Sequence, residues 1–172
     1  MSHTSILQFR TANCKNCYKC IRNCPVKAIR VTNQQAQIIE EQCILCEKCI
    51  AVCPQHAKVE HDDIPAIQRV IASGKKVIAS VHPAYLARYG WNSIGDLEKY
   101  LQKMGFWKAF DAAQGAAVMK EEYTRLLREQ QQKKLVVSSN CPVVVRLIET
   151  KYPHLTEYLA PVYSMKQMHA AY

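Results

Sequence analysis

Two folds in series are predicted: a small α+β domain over residues 1–62, then a partial α/β domain over 63–172 with a mostly parallel sheet. Three observations lead there. Eight of the nine cysteines fall into two identical runs, Cys14-x2-Cys17-x2-Cys20-x3-Cys24-Pro25 and Cys43-x2-Cys46-x2-Cys49-x3-Cys53-Pro54. Short strand-like stretches flank those runs, and from Ile64 onward the texture changes to helix alternating with strand. At 172 residues, about half of them apolar, the chain has room for one ordinary domain or two small ones.

Residues 6–9 read as a short strand leading into the first cysteine run. The spacing of the two runs, offset by 29 residues, resembles that of bacterial ferredoxins, and the resemblance implies a ferredoxin-like two-cluster domain with crossed ligation. Cys14, Cys17, Cys20 and Cys53 would hold one 4Fe-4S cluster, and Cys43, Cys46, Cys49 and Cys24 the other. Three cysteines at intervals of three on a looping backbone suit three corners of a cubane, while the x3-Cys-Pro step carries the fourth thiolate away. Zinc is the competing reading of a C-x2-C step. Four ligands per zinc ion give no reason for a third cysteine at x2 and a fourth before proline, twice over. A disulfide framework fits less well, because residues 1–10 lack a basic segment followed by a long apolar core. The cysteines are therefore expected in a reducing, cytoplasmic compartment, where they bind metal.

Between the runs, residues 27–32 and 36–39 read as strands joined by the polar stretch Asn33-Gln34-Gln35, a hairpin, and 57–60 repeats the strand after the second run. So small a domain buries too little apolar surface to stand alone, so the clusters, with Ile21, Ile29, Ile44, Ile50 and Val52 around them, are expected to form its core. Without iron it is not expected to fold stably.

The second domain opens with Ile64, Ile67, Val70 and Ile71 on one helical face and Gly74 as its stop. Residues 76–81 form a continuous apolar run suited to a buried parallel strand. Ser93, with Asp96 three residues on, begins a helix carrying Ile94, Leu97, Leu101 and Met104. A strand over 106–112 follows, then a helix over 115–131 with Met119, Tyr123, Leu126 and Leu127 inward, and a strand over 134–139. Pro142 opens a last helix with Val144, Leu147 and Ile148 inward.

The formal charge of +9 counts every cysteine as neutral. Eight thiolates and two cluster cores bring it to about +5, and to about +3 on reduction. A surface that stays positive suits an acidic redox protein of ferredoxin or flavodoxin type as partner. Nucleic acid is disfavoured, since Lys15, Lys19, Arg22, Lys27 and Arg30 are interleaved with cysteines and no nucleic-acid motif is present. No apolar stretch approaches the roughly 20 residues that span a bilayer, so no membrane association is expected.

The ninth cysteine, Cys141, falls at the carboxyl end of the expected 134–139 strand and directly before a helix opened by proline, where the helix dipole favours a thiolate. A lone cysteine is more often a small buried hydrophobe. Its surroundings add to it. Ala109-Phe110-Asp111-Ala112-Ala113-Gln114-Gly115-Ala116-Ala117 is similar to the V-F-D-T-x-x-x-A-D segment of iron-only hydrogenases, and Glu121-Glu122 to the E-E that follows. Ser138-Ser139-Asn140-Cys141-Pro142 resembles that family's T-S-C-C-P motif, and Lys151-Tyr152-Pro153-His154-Leu155 its Y-Y-P-x-L. These matches occur in the family's order, and those enzymes often carry a two-cluster module in front.

The resemblance implies that Cys141 corresponds to a ligand of the hydrogen-activating cluster, while Asn140 replaces the cysteine associated with proton transfer. A carboxamide does not exchange a proton near neutral pH. Val144 stands where the family has tryptophan, and His82-Pro83 where it has Ala-Pro. His82 is either a substitute proton carrier or, as is commoner at a strand end, structural. Cys141 is the only cysteine outside the two runs, so the other three ligands of that cluster, and the cluster itself, are expected only in a longer parent. No catalytic residue is therefore assigned within these 172 residues. The expected role is electron transfer; the alternative is a noncatalytic hydrogenase-like sensor of redox state or hydrogen.

Overall fold

The computed structural model describes residues 6–90, 93–129 and 135–171. The chain divides into two compact units, Met1–Asp62 together with Pro142–Glu157, and Asp63–Cys141 together with Tyr158–Tyr172.

In the first unit, β1 (Leu7–Phe9) pairs antiparallel with β4 (Lys58–Glu60), Gln8 opposite Val59. The hairpin of β2 (Ile29–Thr32) and β3 (Gln35–Ile38) forms the other small sheet, with Thr32 opposite Gln35. Asn33 and Gln34 both take positive φ, 48° and 58°. This is what a two-residue turn requires if it is to match the twist of its strands. Two helical turns, α1 (Lys19–Asn23) and α2 (Lys48–Ala51), each carry the third cysteine of a run; the strand-centred sequence reading contains neither. Leu7, Cys24, Ala28, Ile29, Ala36 and Cys49 are buried together, with Ile21 and Ile50 half-buried against them. Ile44 is buried and Val52 half-buried. α7 (Pro142–Lys151) also belongs to this unit, with Ile148 buried and Val144 and Leu147 half-buried.

In the second unit, α3 (Ile64–Ala72) ends at Gly74, whose N–H donates to Ile71 O at 3.0 Å and whose φ is 76°. β5 (Ile78–Val81) and β6 (Lys108–Asp111) pair in parallel, Ile78 opposite Lys108. α4 (Tyr85–Tyr89), absent from the sequence reading, follows β5. α5 (Ile94–Lys103) begins at Ser93, whose Oγ accepts the Asp96 N–H at 3.3 Å. It packs on β6, where Glu98 Oε2 accepts the N–H of Ala109 at 2.9 Å. α6 (Gln114–Glu129) lays Leu126, Tyr123 and Met119 against Val136, Ala160 and Val162, and α8 (Met165–Ala171) packs on it.

Four expectations need correction, the first being the buried strand over 76–81, since Ile78 in β5 is 50% exposed. The sequence pattern places Leu127 inward and Met104 on the helix that begins at Ser93, but they are 56% and 54% exposed. Leu126 takes the inward position on α6, turning its neighbour about 100° away, and Met104 lies just past the end of α5. Of the 134–139 strand, Lys134 lies outside the described residues, and what forms is an isolated parallel bridge between Val137 and Leu159. The ladder stops there because side chains occupy the next backbone groups: Tyr123 Oη accepts the Ser139 N–H at 3.1 Å and Ser138 Oγ the Asn140 N–H at 3.3 Å. The mostly parallel sheet thus consists, among the described residues, of the β5–β6 pair and that bridge.

Candidate functional site

The sequence repeat is a repeat of backbone conformation. Asn16, Tyr18 and Lys27 have φ of 53°, 57° and 56°, and their counterparts 29 residues on, Leu45, Glu47 and His56, have 56°, 58° and 47°. None is glycine, so each left-handed residue is held against a local preference of roughly 1–2 kcal/mol. The kinks turn successive N–H groups toward the cysteine sulfurs. Ala28 N–H donates to Cys24 Sγ and Ala57 N–H to Cys53 Sγ, both at 3.3 Å, and Leu45 N–H donates to Cys43 Sγ at 3.4 Å. In the first run the Cys14 thiol donates to Asn16 Oδ1 at 3.5 Å. Pro25 and Pro54 then hold the chain out of helix directly after Cys24 and Cys53.

Two cavities lie against these loops. Cys14, Cys17, Cys20 and Cys53 line one, and Cys24, Cys43, Cys46 and Cys49 the other. They enclose about 360 and 320 Å³ of atom-free space, solvent-facing part included. The four thiols on each cavity come three from one run and one from the other. Among the described residues no group of three or more Cys, His, Asp or Glu side chains is drawn together around a single ion. Such a site needs sulfurs about 2.3 Å from the metal, whereas a cubane core spreads its four thiolates over the wall of a cavity. The donor set and its spacing fit an iron-sulfur cluster in each.

Burial differs around the sulfurs. Cys24 and Cys49 are buried and Cys17 is exposed. Burial, with the charge of Cys43 added, pushes the Cys49 thiol up to about 11, and burial also raises Cys20 and Cys43. At Cys53 burial works the same way, but N–H groups of Ala57, Gln55 and Lys58 and the charge of Lys58 outweigh it and bring the thiol below its ordinary value. Metal binding must displace protons from such thiols. Lys58 itself, 2% exposed, is the one buried charged side chain among the described residues. A single lysine in a strand carries no sequence signal of this. Arg146, on α7, donates from Nε to Cys43 O and from Nη2 to Glu40 O at 2.8 Å, bracing the start of the second run.

Cys141 is exposed, directly before α7. Asn140 Oδ1 accepts the Met165 N–H at 3.1 Å, so the carboxamide anchors backbone. His82 Nδ1 accepts the Ala84 N–H at 3.2 Å and so closes a turn after β5.

Residues 75–172 match the family model described as iron only hydrogenase large subunit, C-terminal domain, and residues 13–57 match the 4Fe-4S dicluster domain. The chain is 27% identical over 155 residues to the NADP-reducing hydrogenase subunit HndD of Solidesulfovibrio fructosivorans, an alignment covering 80% of this chain and 26% of that one. It is 50% identical over 44 residues to a component of the ion-translocating oxidoreductase complex of Methanosarcina acetivorans, covering 26% and 17% respectively. It is 24% identical over 120 residues to the thiosulfate reductase electron transfer subunit PhsB of Salmonella typhi, covering 63% and 62%. The chain thus spans less than two thirds of each of these relatives. No helix among the described residues is long and apolar enough to cross a membrane.

Proposed function

This chain belongs to the iron-only hydrogenase large-subunit family, with a 4Fe-4S dicluster domain ahead of the family domain, and from that premise we propose that it relays single electrons through two 4Fe-4S clusters to and from a docked redox protein. The observation that carries this reading is the sorting of eight cysteines into two cavities, three from one run and one from the other. Bound clusters would supply reversible one-electron redox chemistry. Cys14, Cys17, Cys20 and Cys53 would hold the first and Cys24, Cys43, Cys46 and Cys49 the second. The N–H groups of Ala28, Leu45 and Ala57 donate to ligand sulfurs and so favour the more negative, reduced state. Ile29, Ile44 and Leu7 keep water from one side of the second cavity.

The excess of lysine and arginine suits an acidic partner of ferredoxin or flavodoxin type. The test is a coulometric titration of anaerobically reconstituted protein, followed by stopped-flow transfer to such a partner. Uptake of about two electrons per chain, with transfer that slows as salt is raised, is expected; a chain that takes up no electrons reversibly contradicts the reading. A second reading, a noncatalytic sensor, is favoured by Asn140, whose carboxamide is engaged with backbone at a position where proton transfer would need a titrating group. Hydrogen uptake by a protein carrying this segment and a complete active-site ligand set would count against the sensor.

A further inference from the structure

Inside the protein the two halves of the repeat differ in charge at one position. Twenty-nine residues before Lys58 stands Ile29, buried and likewise following a buried alanine. Lys58 lines the cavity of Cys14, Cys17, Cys20 and Cys53 and not the other. Its Nζ donates to Ala36 O and sits 3.3 Å from the centre of the Phe9 ring, a cation–π contact. Burial pulls the Lys58 ammonium below its ordinary range, and the charges that work against burial are those of Cys20, Cys14, Cys49 and Cys53, with no carboxylate among them. A buried ammonium persists only where negative charge compensates it, and here the thiolates of bound clusters would supply that charge, three of them on the first cavity and Cys49 on the second.

We infer that Lys58 sets the two clusters apart in potential: its ammonium raises the reduction potential of the cluster held by Cys14, Cys17, Cys20 and Cys53, making that cluster the resting place of an incoming electron. This rests on the two-cluster reading above. One electron from a low-potential one-electron donor, dithionite in the experiment below, takes a cluster with its four thiolates from a charge of about 2− to about 3−. No bond is made or broken, and no proton is required. A nearby positive charge shielded from water stabilises the 3− state more than the 2− state. The second cavity has no buried counterpart. Glu47 and Lys48, both exposed, line it with opposite charges, and Arg146 is half-buried and spends its hydrogen bonds on backbone carbonyls. Solvent screens such charges far more than it screens Lys58.

The experiment is an EPR-monitored redox titration of the reconstituted 172-residue chain and of Lys58→Met, Lys58→Gln and Lys58→Arg, each first assayed for iron and sulfide. Two separate midpoints are expected in the native chain. Met, which keeps the bulk, and Gln, which keeps a donor for Ala36 O, should lower the higher midpoint by at least tenfold in the reduction equilibrium, about 59 mV, and the lower midpoint by less, through Cys49 alone; Arg should hold both. Iron and sulfide far below about eight each in the native chain would instead defeat the two-cluster reading itself, whatever the potentials. With native loading intact, coincident native midpoints, unmoved or equally shifted midpoints in the neutral variants, or an Arg variant that falls as far as Met would overturn the inference. Failure of both neutral variants to load clusters would make Lys58 a structural residue and overturn it as well.

Discussion

At the scale of the residue, the two cysteine runs were legible because their spacing is their signal, and the dicluster match over residues 13–57 covers both, whereas the conformations of the loops that carry them were not. Positive φ is normally announced by glycine, and Asn16, Tyr18, Lys27, Leu45, Glu47 and His56 are all side-chain bearing. Lys58 was illegible for another reason: its burial depends on β4 lying over a cavity made by residues far away in sequence. Two predictions belong here. The sorting of sulfurs predicts that Cys24→Ser perturbs the same EPR signal as Cys43→Ser, and Cys53→Ser the same signal as Cys14→Ser; pairing by run instead would contradict crossed ligation. At Glu47, exposed with φ of 58°, the β-branched Glu47→Val should destabilise the loop by about 1–2 kcal/mol and shorten the half-life of cluster loss. Glu47→Gly should retain clusters at least as long as the native chain, because relief of the strained backbone offsets the added freedom of the unfolded chain.

Elements were legible where a pattern had room to repeat. The hairpin, α3, α5, α6 and α7 followed from periodicity, caps and turn residues. The helical turns α1 and α2, of five and four residues, are too short to show a period, and the cysteines that organise them mask what little there is. The strand expected over 134–139 had the right composition, but Ser138 and Ser139 bond to other partners: Ser138 Oγ lies 3.0 Å from Tyr123 Oη, and Ser139 Oγ donates to Val162 O. Competition between side chains and ladder partners for backbone neighbours is invisible in a propensity. A packing prediction follows at the end of α5. Gly105 has φ of 94°, and a Cβ there would stand 2.6 Å from Ile71 Cγ2. Gly105→Ala should therefore destabilise the second unit by about 1–3 kcal/mol, read as faster amide exchange in α3 and β6. Adding Ile71→Ala should recover only the steric part, since the backbone conformation remains strained.

For the whole molecule, a chain with formal charge +9 becomes explicable once eight of its cysteines are counted as thiolates around metal, which lowers the charge and leaves a modest positive surface. The second unit has one short parallel strand pair where a mostly parallel sheet was expected, and the sequence could not show that Pro142–Glu157 groups with the cysteine-rich unit, because Arg146 reaches the backbone of Cys43 and Glu40 across more than a hundred residues. Cys141 is the only cysteine outside the two cavities. The family resemblance implies four thiolates for the hydrogen-activating cluster, so the 172-residue chain alone is expected to evolve no hydrogen from reduced methyl viologen after active-site maturation, with or without Asn140→Cys. The central claim, two cubane clusters held by crossed cysteines, is tested most directly by the metal and sulfide content of the anaerobically reconstituted chain. About eight iron and eight sulfide per chain are predicted, and about two zinc ions without sulfide would contradict it.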